Sequence, residues 1–367
     1  MTDLTERLPV PEQRPRTPLT GPIAWARANL FSSVPNTIVT LVVVWLVASA
    51  VPPVIRWAVL DATWSAATGK DCRSDGACWA FIGEKLRFIL FGRFPYDEHW
   101  RPLVVVMIFI AMILASCDRR LWSARRLGLM WLTGLAAVGV LMWGGVLGMS
   151  YVETDLWNGL PLTLILAVVG MVVAFPLAIL LALGRRSRLP AVRALCVAYI
   201  EIIRGVPLIT VLFMASVMLP LFLPTGVTID KLLRAQVAFI LFSAAYLAEN
   251  VRGGLQAIPR GQYEAADTLG LSYWQRTRLI VLPQALALVI PPLVNTFIGA
   301  FKDTSLVLII GLFDLLGTAN AALTDANWRG FFVEDYLFTA AIYFTFCFFM
   351  SRYSQMLERE FNKGRRR

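Results

Sequence analysis

The sequence predicts an all-α polytopic membrane protein with about eight transmembrane helices. Three observations predict it. Residues of the AVILMFWYC set make up 57% of the 367 positions, against roughly 45–50% apolar residues in a soluble domain. Charged residues are only 16% and mean hydropathy is +0.65, so too few charges exist to coat a water-soluble globule of this size. Long apolar runs recur, and a run of about 20 such residues crosses the hydrocarbon core as a helix, since only helices and closed barrels satisfy their backbone there. Disordered, collagen-like and disulfide-scaffold classes are excluded together.

In chain order the runs fall near 37–56, 103–118, 128–149, 158–183, 201–223, 233–252, 284–312 and 336–352. The second is short and must borrow from its flanks. The seventh, interrupted at Pro291-Pro292 and Gly299, is the candidate for a broken or re-entrant span. Segment 1–36 is polar and dotted with proline, and no small-residue cleavage site follows a short apolar stretch. The first helix is therefore expected to act as an uncleaved insertion signal.

Arginine placement tests the sidedness of this scheme. With the first span leaving the cytoplasm, the inner side receives Arg7, Arg14, Arg16 and Arg27, then Arg119, Arg120, Arg125 and Arg126, then Arg185, Arg186, Arg188 and Arg193. It also receives Arg252, Arg260, Arg276 and Arg278, and a basic tail, 353–367. Only loop 57–102, with six basic residues including Arg73, breaks the bias, and long loops translocate with less regard to charge. Both termini are expected in the cytoplasm. The formal charge of +10 is accounted for by topology, and no nucleic-acid partner is implied.

The chain divides near residue 150 into a three-span accessory region, 37–150, and a five-span part, 151–352. In the external loop 57–102, Trp57, Trp64, Trp79, Trp100 and Tyr96 sit among charges, as interface anchors or as a lid or docking surface. Cys72 and Cys78 share that loop and form a disulfide if the compartment is oxidising. Cys117, Cys196 and Cys347 lie in or beside spans as packing residues. One histidine, His99, and no Cys/His cluster argue against a metal; nothing in the sequence calls for a cofactor.

Between the sixth and seventh spans, segment 253–283 is far longer than a hairpin needs. Pro259 suits a helix start, Gln262 to Leu269 are good helix formers, and Gly270 suits a left-handed C-cap. Ser272 with Gln275 matches a capping box that restarts the helix. Trp274, Leu279, Ile280 and Leu282 then precede Pro283. Two short helices with apolar residues among arginines suit either insertion into a soluble partner or a position on the lipid surface.

Glu264-Ala265-Ala266, Gly270, Ile280 and Leu282-Pro283 fit, at every defined position and spacing, the E-A-A-x3-G-x9-I-x-L-P signature of bacterial ABC importer permeases. Tyr199 to Leu208, Asn295 and the run Lys302-Asp303-Thr304-Ser305-Leu306 resemble the amino-acid (histidine-permease-like) branch. The resemblance covers about 155–352, the five-helix core of a type I importer permease, and the three extra spans resemble the longer subunits of general L-amino-acid systems. It implies a bacterial inner-membrane protein paired with a second, non-identical permease, two cytoplasmic ATP-binding subunits and a periplasmic amino-acid-binding protein. Glu264, Ala265, Ala266 and Gly270 would meet the ATPase, with Trp274 and Leu279 filling its cleft by their apolarity. The chain has no G-x-x-x-x-G-K-[ST] phosphate loop, so ATP hydrolysis belongs to another subunit and the chain is not itself an enzyme.

Ionisable groups within spans are candidates for a transport path. Glu201 and Arg204 stand three apart before Gly205 and Pro207, where a bend is natural; they read as a gate or as a neutralised pair at the membrane boundary. Asn295, Gly299 and Lys302 form one stripe, facing a path or a partner permease, with Asp303, Thr304 and Ser305 beside it. Glu249 and Asn250 read as boundary residues. The contending function is an ion-coupled secondary amino-acid carrier, which leaves the loop signature unexplained; a membrane-embedded enzyme lacks any constellation of catalytic side chains.

Overall fold

The computed structural model describes residues 21–72, 75–224 and 226–365. Arg7, Arg14, Arg16, Arg73, Arg366 and Arg367 of the charge argument, and most of segment 1–36, lie outside the described residues. Among the described residues the regular elements are helices, with no strand longer than an isolated bridge. Seven helices are long and apolar enough to cross a membrane, and an eighth crossing is made if one bent pair counts as a span.

The chain packs as two compact units. The first runs to Thr63 and includes Asp75–Ala77 among its described residues. It holds α1 (Pro22–Asn29) and α2 (Val34–Ile55), the latter continued by a π turn to Leu60. Its apolar residues face every direction and none is buried, the pattern of a helix whose surroundings are lipid.

The second unit comprises Trp64–Cys72 and Cys78 onward. Part of the expected loop 57–102 is helical. Residues Trp79–Phe91 form helix α3, too short to span, whose Phe81 and Ile89 are fully buried. Cys72 and Cys78, joined as a disulfide, lie just before it. The short second run does borrow from its flank: α4 begins at Trp100 and ends at Cys117. Arg101 at its start is fully buried, donating to the carbonyls of Leu141, Met142 and Ser150 and pairing with Glu98. Those carbonyls close the end of α5 (Ala124–Trp143). That helix stops six residues short of the expected 149 because Gly144 and Gly145 take positive φ.

The centre of the unit is α6 (Gly159–Arg185) against α9 (Lys231–Gln256). Ala174, Ala178 and Ala182 of α6 recur every four residues and are fully buried, as are Ala235, Ala244, Ala245 and Ala248 of α9. Small side chains let the two backbones approach closely, which is how helices associate where burial from water gives no drive.

The expected fifth span, 201–223, is two pieces. Helices α7 (Pro190–Gly205) and α8 (Leu208–Phe222) meet at a bend of 104°. Proline disfavours helix in the residue before it, and Val206 is extended, with φ −113° and ψ 135°. The seventh run breaks at Val289, before Pro291-Pro292 rather than at Gly299, separating residues 282–288 from α12 (Ile290–Ile310). Two elements follow: α13 (Leu315–Ala322), absent from the sequence reading, and α14 (Phe332–Arg365), which carries helix far into the expected basic tail. In the numbering used here, α10 (Arg260–Thr268) and α11 (residues 273–288, with a π turn at Thr277–Val281) make up most of the loop between α9 and α12.

Candidate functional site

The loop 253–283 is an ordered pair of short helices. Pro259 is the N-cap of α10 rather than its first helical residue. At the other end Gly270 has φ +71°, Leu271 N donates to Ala266 O at 3.2 Å, and Gly270 N donates to Asp267 O at 3.0 Å. This is a Schellman closure, for which glycine carries no Cβ penalty. The Ser272–Gln275 capping box is present in both directions and starts α11.

Side chains then divide by face. Ala266, Thr277 and Val281 are buried and Leu282 packs partly against the core. Glu264, Ala265, Gly270 and Pro283 are exposed, and Ile280 is half-buried. Leu269, Trp274 and Leu279 are 75%, 66% and 64% exposed, with Tyr273 beside them: an apolar ridge on a polar loop. The ridge is mechanically tied to the bundle. Arg276 pairs with Asp267 across the turn, and its guanidinium lies 5.5 Å from the Tyr263 ring. Tyr263 Oη accepts from Arg186 at the end of α6 (3.2 Å) and donates to Leu255 O of α9 (3.3 Å).

At the C-terminal ends of α6, α7 and α9, Glu201 and Arg204 do not pair with each other. Both are drawn to partners on other helices. Arg185 Nη1 lies 2.9 Å from a carboxylate oxygen of Glu201 and 2.9 Å from one of Glu249. Glu249 also accepts from Arg252 at 2.7 Å and faces Arg204 at 3.6 Å. Glu249, taken as a boundary residue, is the hub of five charges; its signal in the sequence was an acid inside an apolar run with arginine three residues on. Asn250 is equally engaged, donating to Thr296 Oγ1 at 2.8 Å.

Above the cluster lies a cavity of about 250 Å3 between α8, α9 and α12. Thr296, Gly299, Ala300 and Asp303 line it from α12, and Ser243 and Tyr246 from α9. Of the expected stripe, Gly299 lines this cavity, while Asn295 and Lys302 are exposed on the neighbouring face. Thr304 is fully buried and donates to Phe301 O, and Ser305 donates to Lys302 O. Those two hydroxyls serve the backbone at the turn into 3-10 helix. The cavity meets the charge cluster at Tyr246, whose ring lies 5.5 Å from the Arg204 guanidinium, and its Thr296 accepts from Asn250, the neighbour of Glu249 in sequence.

Residues 174–363, more than half of the chain, match the profile of the binding-protein-dependent transport system inner membrane component. The chain belongs to this family. The inner membrane amino-acid ABC transporter permease protein YhdY of Escherichia coli (strain K12) is 52% identical to it over 344 residues, 94% of each protein. The glutamate/glutamine/aspartate/asparagine transport system permease protein BztC of Rhodobacter capsulatus is 40% identical, over 94% of this chain and 95% of its own. Among solved structures, the crystal structure of an amino acid ABC transporter with histidines is 33% identical, with a TM-score of 0.49, and covers 55% of this chain and 92% of that one. The resemblance read from the loop signature is borne out: this is a multi-pass ABC transporter permease. Coverage of 94% exceeds the matched profile, so the long N-terminal region is shared with YhdY and BztC, as expected of the longer permease subunits.

Proposed function

We propose that the chain is the membrane-spanning permease subunit of an ATP-driven importer of amino acids, coupled to a separate ATPase through the E-A-A loop. The observation that carries the coupling is the apolar ridge of Leu269, Tyr273, Trp274 and Leu279, left exposed on a loop whose opposite face is fastened to α6 and α9. An exposed apolar patch rimmed by polar groups marks a docking surface. Glu264 and Gly270 sit at its edge, so a push on the ridge is delivered to the ends of two central helices.

Amino acids as cargo are supported by the names of YhdY and BztC and by a path with both signs of charge. Asp303 lines the cavity, and the Arg204 guanidinium of the Glu249 cluster lies 5.5 Å from the ring of Tyr246 on its wall. A zwitterion finds partners for both its ends there. Further subunits follow from this reading: a second, non-identical permease beside the exposed Asn295 and Lys302 face, two ATP-binding subunits and an external amino-acid-binding protein. Both termini then lie in the cytoplasm, and loop 57–102 with α3 faces out.

Reconstitution of the four components in vesicles tests the proposal. The double variant Glu264→Arg/Gly270→Pro is expected to reduce ATP-driven uptake to background. Undiminished uptake would sink the coupling assignment, and uptake driven by an ion gradient without the ATPase would replace it with the carrier reading.

A further inference from the structure

Beside the coupling element, and lined in part by Tyr273 and Trp274 of its ridge, lies a groove of about 810 Å3. Its two halves differ in chemistry. Leu180, Leu183 and Val192 supply an apolar part, Arg186, Arg188 and Arg276 a basic one, and among the described residues no acid lines it.

The groove stands at a membrane boundary. The spans that frame it end at Arg185 and Gln256; Leu180 and Leu183 belong to the last turns of one span, and Arg186 and Arg188 come immediately after it. Hydrocarbon depth therefore meets the leucines and headgroup depth meets the arginines. Arg186 is anchored by Leu255 O at 3.0 Å, which holds its guanidinium in place at the floor. Arg276 pairs with Asp267 through Nη1, and its Nε is buried with no hydrogen-bond partner among the described residues. Volumes of this size are typical of small-molecule sites, and basic pockets at the ends of spans bind anionic headgroups.

We infer that this groove is a binding site for an anionic glycerophospholipid, its phosphate on Arg186, Arg188 and Arg276 and its upper acyl chain on Leu180, Leu183 and Val192. Charge complementarity selects this occupant: among the described residues no acid lines the groove, and Asp267, which pairs with Arg276, is already engaged, so the ammonium of a zwitterionic lipid finds no free carboxylate. Leu180 and Leu183 belong to α6, Val192 to α7 and Arg276 to α11, so a bound lipid bridges the translocating bundle and the coupling element. Transport should then depend on anionic lipid. Only this last consequence rests on the coupling role proposed above; binding itself does not.

The test uses the assembled transporter in nanodiscs of phosphatidylcholine with or without phosphatidylglycerol. Native mass spectrometry counts retained lipid, and uptake is followed in vesicles of the same compositions. Wild type is expected to retain phosphatidylglycerol over phosphatidylcholine and to transport faster with it. Arg188→Gln removes a phosphate donor, and Val192→Trp fills the apolar half. Both should abolish the retention and the stimulation while leaving ATPase co-purification and uptake in pure phosphatidylcholine as in wild type. Equal retention in wild type and both variants overturns the site, as does equal retention of the two lipids. Displacement by inorganic phosphate would show an anion site without lipid, and a cross-link from position 188 to the ATPase with no retained lipid would show a protein occupant; either overturns the proposal. Glu264→Arg separates the two readings, since it should stop uptake and leave lipid retention intact.

Discussion

Glu249 accepts from Arg252 on its own helix and faces Arg185 and Arg204 from two others, with its side chain only 13% exposed. Removing its charge leaves three guanidinium groups near one another with only Glu201 to answer them. Glu249→Gln is expected to destabilise the protein by about 1.5–3 kcal/mol, the range of hydrogen bonds to charged groups, read as a loss of thermal stability in detergent. Glu201→Gln touches a side chain that is 56% exposed and should cost no more than about 1 kcal/mol; equal losses in the two variants would refute the hub. Gly253 and Gly254 make a sharper contrast. A Cβ on Gly254 would lie 2.4 Å from Ala285 O, whereas one on Gly253 meets nothing within 4 Å. Gly254→Ala is expected to cost about 1–3 kcal/mol through overpacking. Gly253→Ala should be neutral or stabilising by up to roughly 1 kcal/mol, since alanine is the better helix former. Sequence makes the two glycines indistinguishable, because the deciding atom is a carbonyl on a different helix. Glu249 was more legible: its acidity within an apolar run was visible, but its arginine partners on other helices were not.

Among elements, the pair α10 and α11 was the most legible from sequence. Its start, turn and restart are set by local chemistry: Pro259, the left-handed Gly270 and the Ser272–Gln275 box. Elements shaped by distant packing were not legible. Helix α3 has an apolar face, yet its 13 residues are too few to span and read as loop; it becomes a helix by packing on α13 and α14. The bend between α7 and α8 was anticipated from Gly205 and Pro207, but not its size. The local character of the coupling element makes a prediction. Trp274→Ala removes a side chain that is mostly in solvent, so thermal stability of the isolated chain should not change, while co-purification of the ATPase should weaken. Gly270→Ala adds a backbone cost of about 1–2 kcal/mol at a left-handed position with open space around it. It should therefore impair uptake without disturbing the bundle. A Trp274→Ala variant that unfolds early would show that the ridge serves the fold and not a partner.

At the scale of the whole molecule, the segment from Cys78 to residue 149 interlocks with the part after residue 150. Thr318 Oγ1 of α13 donates to Ile89 O of α3 at 2.6 Å, and Glu334 of α14 accepts from Cys78 N at 2.8 Å. Lys85 pairs with Asp325 at 2.6 Å, and the ring of Phe81 lies 6.2 Å from Trp328 and 5.9 Å from Phe331. Arg101 reaches across the connection to Ser150 O. These contacts are buried or half-buried and most join residues far apart in sequence, which places α3 and α4 in one packed unit with α6, α13 and α14. Continuity of the backbone at 144–148 is then unnecessary once the protein has folded. Leu147 there is 89% exposed with a positive φ, an accessible place for a sequence-specific protease site. Cleavage of the folded, detergent-solubilised protein at that site is expected to give two fragments that co-elute on gel filtration, keep the thermal transition of the uncut chain and separate only in denaturant. Combining the cut with Thr318→Val and Lys85→Met, which remove two of the cross-links, should lower the transition without releasing the fragments, since the aromatic contacts remain. Release of the N-terminal fragment from the otherwise unaltered cut protein under native conditions would show that the accessory spans only adjoin the permease core.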